Sequence, residues 1–305
     1  MTRLTGLISA PHTPFLPDGS LNPDAIDRQA EHMVRSGVDG VFVCGTTGEG
    51  MSLTSAERRT VAERWVKAAA DRFPVVVHVG HACVRDAQEL AAHAEGAGAN
   101  AIATVAPFYH KPAGVPELVQ YLASLARSAP RMPLYYYDIP GMTGVSVPTA
   151  DLMIRAAEEV STFAGVKYSN PDLVTLQECL TVRDGSLDVL FGVDEMLLAA
   201  VVLGVRGGVG STYNYATPLY KRMLDAYDAG DMQKARTLQR KSVELVRVIE
   251  SHGGLASNKE MMRLVGVDCG PVRPPLTPIE PTVADSLSSQ LDDIGFFSDP
   301  VFRPV

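Results

Sequence analysis

Phe163-Ala164-Gly165-Val166-Lys167-Tyr168 begins with four residues that carry no polar side chain and then meets a lysine. A short run of this kind reads as a β-strand covered on both faces, as in a parallel sheet wrapped by helices. At the carboxyl end of such a strand, loss of water favours a neutral amine that can attack a ketone, which is Schiff-base chemistry. Taken alone, the run fits more simply a lysine that caps a carbonyl or pairs with an acid. The surrounding sequence decides between the two readings.

Similar runs recur on both sides, at Gly6–Ala10, Gly40–Cys44, Val75–Val79, Ala101–Ala106, Leu134–Ile139, Val189–Val193 and Gly207–Ser211. Helix-length amphipathic stretches separate them. Asn22-Pro23 supplies a cap followed by a first-turn proline, and Thr54-Ser55-Ala56-Glu57 fits a capping box. Pro116, Pro148 and Pro171 open three more helices. Eight strand–helix units predict an α/β fold, a TIM (β/α)8 barrel, which needs ~250 residues; a doubly wound open sheet is the runner-up. After Pro218 the pattern is wholly helical, over Leu219–Ala229, Met232–Ser251, a stretch near Asn258–Val265 and a last helix around Ala284–Ile294. The division expected is a barrel core over 1–217, then the last barrel helix and a C-terminal helical extension over 218–305.

The chain has 305 residues, 46% of them hydrophobic and 20% charged, enough for a full core. A formal charge of −8 and the lack of any basic run argue against nucleic acid as a partner. Cys44, Cys83, Cys179 and Cys269 form no C-x-x-C pair, as expected of reduced thiols. The stretch Met1-Thr2-Arg3-Leu4-Thr5-Gly6 lacks a signal-peptide layout, and no segment approaches the ~20 apolar residues of a membrane span. A cytoplasmic protein with no membrane partner is the expectation. His12, His32, His78, His81, His93, His110 and His252 show no metal-ligand spacing, so no metal is expected and His78 and His81 receive no role.

In a barrel, the residues just past each strand converge on one site. After the second run comes Gly45-Thr46-Thr47-Gly48-Glu49-Gly50, whose hydroxyls and amides suit a small carboxylate. The fourth run leads to Tyr109, the fifth to Tyr137 and Asp138, the sixth to Lys167 and Ser169. A tyrosine facing an imine lysine can carry a proton in either direction. Strand alternation puts Tyr135 and Tyr137 on one face and Tyr136 on the other, against helices. Gly192-Val193-Asp194-Glu195 offers two carboxylates to a polyol, or equally a cap to the next helix. The glycines before Ser211 occupy the usual phosphate position of such barrels, which raises a phosphorylated ligand or flavin; no other residue supports a flavin.

With these groups at strand ends, the chain resembles the pyruvate-dependent class I aldolases of the dihydrodipicolinate synthase and N-acetylneuraminate lyase family. The resemblance runs along nearly the whole chain and looks nearest to the lyase branch. It is carried by GTTGEGMSL (45–53) with SAERR (55–59), APFYHKP (106–112), YYYDIP (135–140) with TGV (143–145), GVKYS (165–169), LFGVDE (190–195) and GVGSTYNY (208–215). It implies that Lys167 forms the imine with a 2-oxo acid, Tyr137 is general acid and base, and Thr46 and Thr47 hold the carboxylate. Ser169, Gly192, Asp194, Glu195 and Ser211 match positions that contact a hydroxyl-bearing tail. Tyr109 matches a proton-relay tyrosine that crosses a subunit interface in the synthases, and a homotetramer is implied. The activity implied is reversible cleavage of N-acetylneuraminate to N-acetylmannosamine and pyruvate, with no cofactor because the lysine is the electron sink. Two features bear on the tail. The arginine that synthases carry after the catalytic tyrosine is absent from Ile139-Pro140-Gly141-Met142-Thr143, and Asp138 stands where the lyases compared show His or Asn. Asp138 therefore motivates the alternative of another 2-oxo acid, handled by an aldolase, dehydratase or synthase; a catalytically idle sensor barrel is the third reading.

Overall fold

The computed structural model describes residues 3–303, so Met1 and Thr2 of the amino-terminal stretch lie outside the described residues. Strands and helices alternate as β1 (Gly6–Ser9), α1 (Asp24–Ser36), β2 (Gly40–Val43), α2 (Ser55–Ala69), β3 (Val75–His78), α3 (Val84–Gly96), β4 (Ala101–Val105) and α4 (Val115–Ser128). The second half continues with β5 (Leu134–Asp138), a single turn α5 (Pro140–Thr143), α6 (Thr149–Glu159), β6 (Phe163–Tyr168), α7 (Leu173–Thr181), β7 (Asp188–Phe191), α8 (Leu197–Val202), β8 (Gly207–Gly210) and α9 (Tyr213–Asp228). Each strand pairs in parallel with the next, and β8 pairs with β1, so the sheet closes into a TIM barrel. A C-terminal extension follows, of α10 (Met232–Ser251), α11 (Leu255–Leu264) and α12 (Pro281–Asp293). Among the described residues no helix is long and apolar enough to cross a membrane.

Most strands end one residue before the apolar runs of the sequence do, because the chain turns at once over the barrel mouth. Cys44, for example, takes a left-handed backbone (φ 58°) and ends β2. The helix starts show larger differences. Pro23 itself caps α1 with no side-chain bond from Asn22, whereas Thr54 and Glu57 do form the capping box of α2. α9 begins at Tyr213 rather than Leu219, since Pro218 lies inside it beyond an irregular Ala216 (φ −127°, ψ 17°). Proline offers no N–H to the carbonyl four residues back. That carbonyl, on Asn214, instead accepts from His32 Nε2 at 2.8 Å. α11 and α12 likewise begin earlier, at Leu255 and Pro281.

Two apolar layers result. Ile8, Phe42, Val76, Val105, Tyr135, Tyr137, Leu190 and Val209 fill the barrel, while Tyr136, Val166 and Tyr168 pack outward among the helices. One irregularity in this alternation governs the site. Ala164 points into the barrel, and two residues on, regular alternation would direct Val166 inward and Lys167 outward. The pairing shifts by one residue between Leu134/Phe163 and Tyr135/Gly165, and beyond that bulge Val166 faces the helices and Tyr137 is paired with Lys167. Gly165 makes the bulge with φ 152°, and a Cβ there would overlap the Asp188 carbonyl.

The extension is tied to the barrel by Arg273, which donates to both oxygens of Glu57 at 2.9 and 2.5 Å, to the Gly19 carbonyl at 2.9 Å and to the Ser52 carbonyl at 3.1 Å. Those Arg273 bonds are the main reason the Glu57 carboxyl is held down at about 2, against the opposing effect of burial.

Replacing Gly165 by Ala is expected to cost about 2 kcal/mol or more of stability through backbone strain and overlap. An unchanged thermal midpoint would count against the bulge as described. For Glu57 the folded pKa lies below the unfolded one, so its stabilisation is complete above the unfolded value and is lost as pH falls towards 2. Denaturant titrations at pH 7 and pH 2.5 should therefore show Glu57→Gln losing about 1–2 kcal/mol less than the parent on acidification, a figure reduced for partial exposure.

Candidate active site

A cavity of about 240 Å³ opens at the carboxyl ends of the strands. Thr46, Thr47, Tyr137, Lys167, Ser169, Gly192, Asp194, Glu195 and Ser211 all line it. These side chains come from distant parts of the sequence and converge because parallel strands all end on one side of the barrel.

At the floor, Lys167 Nζ lies 4.0 Å above the Tyr137 ring and 4.1 Å above the Phe42 ring, and these two rings meet edge to face with centroids 5.5 Å apart. Lys167 is only 4% exposed and, among the described residues, has no ion pair. The two ring faces fix where the nitrogen sits. Beneath, His78 stands edge-on to Tyr137 at 6.0 Å, and its Nε2 accepts from the Val105 amide. Burial first, then the charges of Arg58 and Lys167, hold His78 well below its ordinary pKa, so its ring is neutral. Arg58, also buried, donates to the Gly80 and His78 carbonyls at 2.8 and 2.5 Å and so pins the end of β3.

At one end of the cavity, the turn after β2 carries Thr46 and Thr47. It is closed by Gly50 N to Gly45 O and by Glu49 N to Thr46 O, both at 3.0 Å. Thr13 Oγ1 donates to the Gly48 carbonyl at 2.6 Å. Thr46 Oγ1 stands 3.4 Å from the Tyr137 hydroxyl, which joins the threonine turn to the tyrosine.

The opposite end is polar. Asp194 is buried and accepts from the Thr212 amide at 3.0 Å and from Thr212 Oγ1 at 2.6 Å. It therefore ties β7 to β8, while Asp194 and Glu195 also stand in the first turn of the short helix that follows, as the cap-and-charge alternative expects, although no side-chain cap bond forms there. Burial raises the Asp194 pKa, and the Thr212 bonds partly offset that. Gly192 leaves room for Ser169, since a Cβ there would overlap the serine hydroxyl.

Two of the residues singled out from the sequence lie elsewhere. Asp138 follows Tyr137 and so points out of the barrel, where it accepts from Thr149 Oγ1 at 3.0 Å and from Asn170 Nδ2 at 3.5 Å. It does not line the cavity, which corrects the expectation that its charge bears on the tail. Tyr109 is 81% exposed and does not line the cavity either.

Other residues of the site carry no signal in the sequence. Val246, Ile249 and Glu250 of α10 and Asn258 of α11 complete the wall. Asn258 Nδ2 donates to Ser211 Oγ at 3.1 Å, and its Oδ1 accepts from the Tyr215 hydroxyl at 3.1 Å. No motif marks these positions, which arrive through the packing of the extension. Phe42 could have been found, because Val41 and Val43 face the helices and the residue between them must face inward.

Comparison with known proteins places the chain among relatives of similar length. The sequence pattern of the Dihydrodipicolinate synthetase family matches residues 3–294. N-acetylneuraminate lyase of Pongo abelii is 39% identical over 301 residues, covering 97% of this chain and 94% of that lyase. N-acetylneuraminate lyase of Danio rerio is 40% identical over 296 residues, 95% of this chain and 96% of that lyase. The solved structure of Proteus mirabilis N-acetylneuraminate lyase superimposes with a TM-score of 0.95 at 38% identity, covering 97% of this chain and 100% of that one.

Proposed function

The chain belongs to the Dihydrodipicolinate synthetase family, and from that membership together with the site we infer that it is a class I, pyruvate-dependent aldolase cleaving N-acetylneuraminate reversibly to N-acetylmannosamine and pyruvate. The observation that carries this reading is Lys167 packed on Tyr137 in a cavity with paired threonine hydroxyls at one end and Asp194 and Glu195 at the other. A small carboxylate beside the ketone fits the first end, and a long polyol fits the second.

In the reaction proposed, the Thr46 and Thr47 turn holds the carboxylate of the open-chain sugar acid. Lys167 Nζ attacks the adjacent ketone carbon, and loss of water gives a protonated imine. Tyr137, as general base, removes the proton from the hydroxyl of the departing fragment. The electron pair of the breaking carbon–carbon bond flows into the imine, leaving N-acetylmannosamine as an aldehyde and an enamine on Lys167. Protonation of the enamine and attack of water return pyruvate and the free amine. The 3.4 Å approach of Thr46 Oγ1 to the Tyr137 hydroxyl gives the tyrosine a route for its proton. Because the imine is the electron sink, the chemistry calls for no metal or organic cofactor.

The readings of a synthase or of a different 2-oxo acid lose their motive. No arginine lines the cavity among the described residues, and Asp138 faces away from it. Tyr109 is assigned to a proton relay in a neighbouring copy, within a homotetramer. Its 81% exposure supports this, as does the exposure of Met51 in the short helical turn Gly50–Ser52 and of Met142 in α5.

Pyruvate release from N-acetylneuraminate, coupled to lactate dehydrogenase, tests the activity. Lys167→Ala is expected to lower it by about three orders of magnitude or more, and retention of turnover would exclude the imine. Tyr109→Phe should lower kcat about tenfold with the fold intact. Full activity in that variant, or a monomer by light scattering, would remove the tyrosine from the relay.

A further inference from the structure

The turn that carries Thr46 and Thr47 is anchored from below by a charge that the mechanism does not use. Glu49, three residues after Thr46, has a left-handed backbone (φ 51°) that sends its side chain into the protein, where it is 0% exposed. Lys259 Nζ of α11, at 2% exposure, donates to its Oε1 at 2.9 Å, and the Arg273 amide donates to its Oε2 at 2.8 Å. The ammonium also donates to the Pro271 carbonyl at 2.7 Å and lies 4.2 Å above the Phe15 ring. Both carboxylate oxygens are thus engaged by the extension, so Glu49 cannot shift without leaving a buried charge unpaired. Asn258, the residue before Lys259, donates to Ser211 of the cavity wall.

Buried ion pairs contribute little to stability relative to a well-packed neutral pair, since desolvation offsets much of the attraction. Their strength is geometric. We propose that Glu49 and Lys259 are positioning residues for the substrate carboxylate: the pair sets the Thr46–Thr47 turn against α11, so that the C-terminal extension governs binding of the 2-oxo acid. The turn is short and closed on itself, with Glu49 N bonded to Thr46 O, so a displacement of Glu49 moves the threonine that binds the carboxylate. His12, buried beside Thr47 and Asn258, is held at about 3 by burial and by the Lys259 charge, and thus adds no second cation to the anchor. The proposal rests on the aldolase reading given above.

The test uses pyruvate alone, scoring the full-length enzyme for imine by borohydride reduction across pyruvate concentrations, with thermal midpoints measured in parallel. Glu49→Gln and Lys259→Met each leave one member of the pair without its partner. The double variant Glu49→Gln/Lys259→Met leaves no charge unpaired and is expected to recover most of the midpoint. Half-saturation by pyruvate should nevertheless rise about tenfold in the double variant, the equivalent of one hydrogen bond to a charged group. Glu49→Asp, which keeps the charge and shortens its reach, should raise half-saturation as well while remaining folded. Parental half-saturation in the folded double variant and in Glu49→Asp would overturn the positioning role and leave the pair as a stability element. Absence of trapping in the parent enzyme would overturn the aldolase reading and this proposal together.

Discussion

The pairing of Tyr137 with Lys167 depends on a single extra residue in β6. Side chains of a strand alternate strictly, so a lysine can enter the barrel only if the count from the inward Ala164 is broken. The bulge at Gly165 breaks it, and the backbone there has φ 152°, a conformation that only glycine adopts without strain. Everything the cavity does chemically follows from that step. With the lysine turned outward, the two aromatic faces, the threonine turn and the carboxylates at the far end would surround no nucleophile.

Around that point the molecule separates two electrostatic tasks. The reactive nitrogen is held between the Phe42 and Tyr137 ring faces, with no carboxylate engaging it among the described residues. Asp194 and Glu195 bring negative charge to the site, where burial raises the Asp194 pKa and Thr212 hydrogen bonds stabilise its charged form. The extension reaches the cavity at two neighbouring points, through Lys259 under the threonine turn and through Asn258 against Ser211. A division of the chain into barrel and appendage therefore understates what α10 and α11 contribute to the cavity wall.

Much of this is legible in the sequence. All eight strands can be placed because buried parallel strands leave continuous apolar runs, and the residues past each run identify the cavity lining from Thr46 to Ser211. What stays hidden has physical reasons. The register shift at Gly165 is a matter of one residue between two strands, and no local propensity encodes it. Pro218 signals a helix end, yet α9 continues through it because His32 takes up the carbonyl that proline cannot serve. The roles of Val246, Glu250 and Asn258 depend on how distant helices pack. Placing Asp138 at the substrate tail gives its adjacency to Tyr137 more weight than strand alternation, which turns consecutive residues to opposite faces.

The most direct measurement is borohydride reduction of the enzyme during turnover of N-acetylneuraminate, followed by peptide mapping of the modified lysine. The account predicts a single reduced pyruvate adduct on the peptide that contains Lys167. An adduct on any other lysine, or none under turnover, would contradict it.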